Sequence, residues 1–184
     1  MTREEAILSF QRHATSKIAN AEDLESIMTY GFRGEALASI AAVAHVTMRT
    51  RKADSQTGVQ VHIDGGSDNI SCDEVAIPVG TRISVRDLFF NIPARRKFLK
   101  SESSEFRQII SEFSRVAISH WDLSVRLVHN GKDIYNLRKA NNQKQRIVEI
   151  EGKSLDKKLI DVSFESELFT LKGFISRPED AKKN

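Results

Sequence analysis

The chain has 184 residues, of which 40% are hydrophobic and 29% charged, a balance that excludes an intrinsically disordered chain. A net charge of only +3 means that any nucleic-acid surface must be a local patch rather than a global bias. A single cysteine, Cys72, excludes an internal disulfide and a cysteine-built zinc site; no apolar run approaches the ~20 residues of a bilayer span, and Met1-Thr2-Arg3-Glu4-Glu5 has no signal-peptide core, so the expected location is the cytosol.

Thr2 and Glu5 have capping-box spacing, which predicts a helix from Arg3 with Ala6, Ile7 and Phe10 as its buried stripe. The following Arg12-His13-Ala14-Thr15-Ser16-Lys17-Ile18 gathers two hydroxyls and three basic side chains. Thr15, Ser16 and Lys17 are phosphate-partner types, although the same residues also describe a polar helix end in water. A short helix is expected around Asp23-Leu24-Glu25-Ser26-Ile27-Met28.

Gly31-Phe32-Arg33-Gly34 then opens into Glu35-Ala36-Leu37-Ala38-Ser39-Ile40-Ala41-Ala42-Val43-Ala44, a helical pattern with Leu37, Ile40, Ala41 and Ala44 on one face. A glycine loop at a helix start offers unpaired amides and the positive end of the helix dipole, which together suit a phosphate. Gly31 and Gly34 allow close approach of the main chain, and Arg33 supplies a forked cation. The spacing is not that of a Walker A loop. The pattern by itself is more commonly that of a tight turn with a glycine helix start and a surface arginine.

From His45 the period changes to two. Val46, Met48 and Thr50 mark one buried face, and Val59, Val61 and Ile63 another after Gly58. Asp64-Gly65-Gly66 turns the chain, Ile70, Cys72 and Val75 continue the sheet, and the run from Thr81 to Leu88 alternates again. Short turns between these strands predict antiparallel pairing. Pro93 begins a basic helix in which Arg95, Arg96, Lys97 and Lys100 read either as contacts to a phosphate backbone or as a solvated face.

A longer helix is expected over Ser104 to Ser119, with Phe106, Ile109, Ile110, Phe113, Val116 and Ala117 as core. Asn130-Gly131 between two apolar runs signals a hairpin. The polar run 138–144 marks a boundary, giving expected domains at 1–140 and 141–184. Gln145 to Glu151 is expected as a helix, with strands at Lys158 to Phe164 and Leu168 to Ser176. The chain stops at Ala181-Lys182-Lys183-Asn184 as though within a domain. The fold class is α+β, a mostly antiparallel sheet with helices packed on one face. The five histidines form no metal-spaced pair.

Taken in order, Arg12 to Ile18, Gly31 to Ile40, Gly80-Thr81, and Asp87-Leu88-Phe89-Phe90-Asn91-Ile92-Pro93-Ala94-Arg95-Arg96-Lys97-Phe98-Leu99 resemble the MutL family of DNA mismatch repair ATPases, and the Pro93 to Lys97 stretch favours it over related ATPases. The resemblance implies an ATP site of the gyrase, Hsp90, histidine kinase and MutL type. Arg12 to Leu37 would form the mobile lid, with amides of Arg33, Gly34, Glu35, Ala36 and Leu37 facing the phosphates. Thr81 would be the family's Gly-Thr position on the sheet beside the nucleotide. The residues after Asn142 would begin a transducer domain resembling ribosomal S5 domain 2.

The same resemblance implies ATP with Mg²⁺ as cofactor and homodimerisation of the parent protein. It implies DNA, a MutS-type mismatch recognition protein, an endonuclease and a helicase as partners, in a bacterial cytoplasm close to the nucleoid. The family's general-base glutamate, Mg²⁺-binding asparagine and adenine-binding aspartate have no counterparts here, and Asp64-Gly65-Gly66 has the wrong spacing to stand in. A truncated piece with weak or no ATP hydrolysis is therefore expected, and part of the sheet should be open to solvent. A non-catalytic module binding DNA or a protein partner is the alternative.

Overall fold

The computed structural model describes residues 1–66 and 70–180. It divides into two compact units, Met1–Leu99 and Lys100–Asn184.

In the first unit, Thr2 caps α1 (Arg3–Leu8). Its hydroxyl accepts from the Glu5 amide at 3.2 Å, and the Glu5 carboxylate accepts from the Thr2 amide at 2.8 Å. This reciprocal pair satisfies two donors that a helix start leaves orphaned. Six residues are too few for a helix that persists alone. Burial of Ala6 and, just past the helix end, Phe10 holds this one in place.

β1 (His45–Arg51), β2 (Gly58–Asp64), β3 (Ile70–Val75) and β4 (Gly80–Arg86) form one antiparallel sheet in the order β3-β2-β1-β4. Met48 of β1 lies between Val61 and Ile83. Alternation sends Val46, Met48, Thr50, Val61 and Ile63 to one face, each no more than 1% exposed. There they meet Ala6, Phe10, Ala41 and Ala44, with Ile70 and Cys72 packed around them. Val75 belongs to β3 but points to the opposite face from Cys72.

Coverage stops before the sheet does. β4 is exposed along its whole length, and Ile83 (43%) and Val85 (44%) are open on the core-side face, as expected for part of this sheet.

The first helix after the glycine loop, α2 (Ala36–Ala41), ends three residues earlier than its apolar pattern. The Val43 and Ala44 carbonyls instead accept from the amides of Phe89 (2.7 Å) and Gly65 (3.4 Å), tying the helix exit to the sheet's return loops. The helix expected near Asp23 is a 3-10 turn at Ala21–Ser26. Pro93 occupies the first turn of α3 (Pro93–Lys97), where its missing amide costs nothing.

The second unit contains α4 (Glu102–Ser119), a hairpin of β5 (Val125–His129) and β6 (Lys132–Leu137), α5 (Gln143–Glu151), and a hairpin of β7 (Leu159–Glu165) and β8 (Thr170–Ser176). Asn130 and Gly131 have φ of 48° and 77°, as the tight hairpin turn demands. Phe106 stacks on His129 and Phe113 on Tyr135, which lays α4 over the first hairpin.

The buried stripe of α4 is narrower than its sequence pattern. Ala117 is buried, but Ile109 and Val116 are 52% and 55% exposed. The polar run 138–144 is packed rather than loose: Ala140 is buried, its amide donates to the Trp121 carbonyl at 2.8 Å, and Asn142 caps α5. The expectation about 181–184 lies outside the described residues.

Among the described residues, the largest fully buried side chain is Arg146 of α5. Its guanidinium donates to the carbonyls of Ala117, Trp121, Leu123 and Arg138 at 2.6–3.4 Å, and the Glu149 carboxylate lies 3.4 Å from Nε. A buried charge is tolerable only when hydrogen-bonded in this way. Ala117 belongs to the last turn of α4, where a cation also meets the negative end of the helix dipole.

Candidate functional site

The two halves of the 12–37 segment meet at the start of α2. Gly34 has φ +64°, and a Cβ built on it would fall 2.3 Å from the Ala14 carbonyl oxygen, so any side chain here is excluded on both counts. His13 Nδ1 and Glu35 Oε1 are 3.2 Å apart, a second link between the halves. Between them, the Asp23 carboxylate accepts from the amides of Ala19 (2.7 Å) and Asn20 (2.9 Å), which holds its pKa below the usual aspartate value.

These links shape an open cavity of about 620 Å³. Thr15, Ser16 and Lys17 line one side, and Gly31, Arg33, Gly34, Glu35, Ala36 and Leu37 the other. Nine of the ten residues expected at the phosphate site are thus neighbours in space. The tenth, Thr81, lies on β4, where its hydroxyl pairs with that of buried Thr50 at 2.8 Å and lines a separate groove with Gly80.

Ser9, Ala14, Tyr30 and Phe32 also line the cavity. Ala14, Tyr30 and Phe32 adjoin expected site residues, so adjacency was their signal. Ser9 had none, because it enters from α1.

The first intrahelical bond of α2 runs from the Ser39 amide to the Glu35 carbonyl at 2.9 Å, so the amides of Ala36, Leu37 and Ala38 precede the helical ladder. Gly31 has open space around its Cα, with nothing within 4 Å of a built Cβ. Arg33 stands over the Phe32 ring at 5.4 Å. Lys17 and Arg33 enter no ion pair among the described residues. Two free cations, two hydroxyls and a run of unpaired amides around one cavity constitute a polyanion-binding chemistry.

The basic residues after Pro93 divide between the units. Arg95, Arg96 and Lys97 are exposed on α3, with Arg95 over the Phe89 ring at 5.8 Å, whereas Lys100 belongs to the second unit. No described helix is long and apolar enough to cross a membrane.

The antiparallel sheet, its covering helices and the glycine-loop cavity make an α+β fold that matches MutL ATPase-domain structures. The structure matches the Aquifex aeolicus MutL ATPase domain complexed with ADP at a TM-score of 0.66 and 32% identity, covering 89% of this chain and 62% of that one. Over its full length the chain is 49% identical to the DNA mismatch repair protein MutL of Parabacteroides distasonis, of which it covers 29%. It is 48% identical to MutL of Flavobacterium johnsoniae, of which it covers 28%. The chain is a MutL homologue and corresponds to part of the ATPase-domain region. It therefore spans less than a third of the length of these curated relatives. No protein-family model matches it.

Proposed function

We propose that the cavity lined by Thr15, Ser16, Lys17, Arg33 and the Gly34–Leu37 backbone is the phosphate side of an ATP site, and that the 12–37 segment is its lid. The observation that carries this reading is the convergence of nine expected residues on one cavity of a size usual for small-molecule sites. The solved relative complexed with ADP supports a nucleotide as the ligand. The residues fit a triphosphate: hydroxyls, a lysine, a forked cation and unpaired amides. ATP, accompanied by Mg²⁺, would supply the transferable phosphoryl group.

In this reading Lys17 and Arg33 bind the phosphate oxygens, and the α2 amides orient them. Gly34 lets the two lid halves close to contact distance, which excludes water. The general base, the metal ligand and the adenine anchor are not among these residues. Phosphoryl transfer depends on positioning and charge stabilisation, so binding without appreciable turnover is the expected behaviour of this chain. The parent protein would hydrolyse ATP, dimerise and couple mismatch recognition to strand incision in the bacterial cytoplasm. Its partners would be DNA, a MutS-type protein, an endonuclease and a helicase. Residues 1–140 would belong to the ATPase domain and 141–184 to a transducer domain.

Titration with a fluorescent ADP analogue tests the site. Arg33→Ala should weaken binding at least several-fold, and Gly34→Ala should weaken it through loss of the Ala14 approach, whereas Gly31→Ala should change little. ATP turnover by this chain that Arg33→Ala abolishes would overturn the expectation of inactivity.

The exposed, unpaired cations Arg95, Arg96 and Lys97 favour a second reading in which they, with Lys100, touch a DNA backbone. Binding should fall steeply with salt. A variant neutralised at all four positions that binds DNA as well as the parent would end this reading.

A further inference from the structure

One side chain in the lid cavity has the wrong charge for a polyanion site. Of the described residues that line the cavity, Glu35 alone is acidic. It shares that wall with Lys17 and Arg33. A carboxylate so placed is a rival to any anionic ligand: paired with either cation, it would occupy the charge that a phosphate needs. Among the described residues, however, no ion pair joins Glu35 to Lys17 or Arg33. Glu35 Oε1 lies instead 3.2 Å from His13 Nδ1.

The backbone brings His13 to that place. Its φ is +63°, in the left-handed region that histidine enters more readily than most residues with a side chain. The same stretch sets the Ala14 carbonyl against Gly34, so the residue after His13 meets the residue before Glu35. Both the imidazolium and the neutral Nδ1–H tautomer can offer the carboxylate a donor. Arg12, the neighbouring cation, lines a different cavity with Phe10 and Ala38. The His13 and Glu35 side chains are 78% and 48% exposed, so their contact contributes little to stability. What it fixes is where the carboxylate points.

We propose that His13 is a positioning residue of the lid cavity: it draws the Glu35 carboxylate aside and so leaves Lys17 and Arg33 free for a nucleotide's phosphates. The inference rests on the cavity being the phosphate side of a nucleotide site, and it adds the device that keeps the site open. Without His13, the Glu35 carboxylate turns to the cations that share its wall, and the lid plugs its own cavity. The two residues therefore act as a unit, and His13 matters only while residue 35 carries a negative charge. A histidine that merely shaped the loop would matter whatever stood at position 35.

The test titrates the whole chain with the fluorescent ADP analogue in four forms: parent, His13→Ala, Glu35→Gln and the double variant. At low salt His13→Ala should weaken binding about threefold to fivefold, the scale of an exposed ion pair. In the Glu35→Gln background the same change should weaken it by less than about 1.5-fold, because a neutral amide does not compete for the cations. Added salt should narrow the difference between the two backgrounds, since the rival pairing is open to solvent. Equal losses in both backgrounds would overturn the proposal and assign His13 to the shape of the loop. So would no loss in either, or a difference that salt leaves untouched. Arg33→Ala separates the possible failures. If it weakens binding and His13→Ala does not, the phosphate site stands and this inference falls. If Arg33→Ala changes nothing, or the parent shows no saturable binding, the nucleotide reading falls and takes the inference with it.

Discussion

The two units of this chain are held together by different physics. In Met1–Leu99 the fully buried large side chains are Phe10, Met48, Ile63, Val46 and Val61, brought together by period-two strands and two short helices. In Lys100–Asn184 the only large side chain so buried among the described residues is Arg146, which collects four backbone carbonyls from three stretches of chain. The first unit hides oil, whereas the second hides a charge inside a ring of hydrogen bonds. Apolar packing tolerates a substitute of similar volume. The ring does not, because its geometry is directional and its acceptors are left unsatisfied when the donor goes.

The sharpest break of this contrast is Phe10→Ala. It should destabilise the first unit by about 3–5 kcal/mol, as large-to-small changes at closely packed aromatic sites do. Loss of hydrogen-exchange protection in β1 and β2 is the measurement. Protection there equal to the parent's would show that Phe10 does not anchor the core.

Arg146→Met comes next. Methionine fills much of the volume but donates nothing, so the cost should be about 2–4 kcal/mol and should fall on the second unit. Trp121, the single tryptophan, lies in that unit and its carbonyl is one of the four acceptors, so its emission reports the change directly. A variant whose Trp121 transition matched the parent's would erase the distinction between the units.

The smallest effect concerns acid. Asp64 accepts from His45 at 2.5 Å and from His62 at 3.0 Å, and these bonds, His45's foremost, hold its carboxyl below the usual aspartate range. A depressed native pKa contributes stability above the unfolded value and loses it as pH falls through the native one. Asp64→Asn should therefore lower the melting temperature modestly near neutral pH. The gap to the parent should close as the pH falls below 3.8, the ordinary aspartate value. A gap that stayed constant down to strong acid would assign the effect to packing instead.

Most of the first unit was legible in its sequence because its forces are local or periodic. The Thr2–Glu5 cap needs only neighbours, and the β1 and β2 faces need only alternation. The lid cavity was legible too, since its residues come from two short stretches, although Thr81 and Ser9 reach their places through the tertiary fold. The α4 stripe was overread because periodicity reports which residues can be buried, not which find a partner; Ile109 and Val116 find none in this unit.

Arg146 was invisible. In Gln145-Arg146-Ile147-Val148 it looks like any charged helix position, and only the carbonyls that converge on it reveal its place. The His13–Glu35 contact was hidden for a related reason. Each stretch showed its residue, but the approach that sets them side by side belongs to the folding of the 12–37 segment.

The guanidinium at position 146 also sets an order on biosynthesis. The carbonyls of Ala117, Trp121, Leu123 and Arg138 are all translated before the residue that gathers them. While the nascent chain grows, those oxygens lack the guanidinium that bridges them, and α4 and the first hairpin wait as a loose platform. The ribosome has to deliver α5 before that platform can lock, so α4 and the first hairpin are fixed together only after Arg146 has been made.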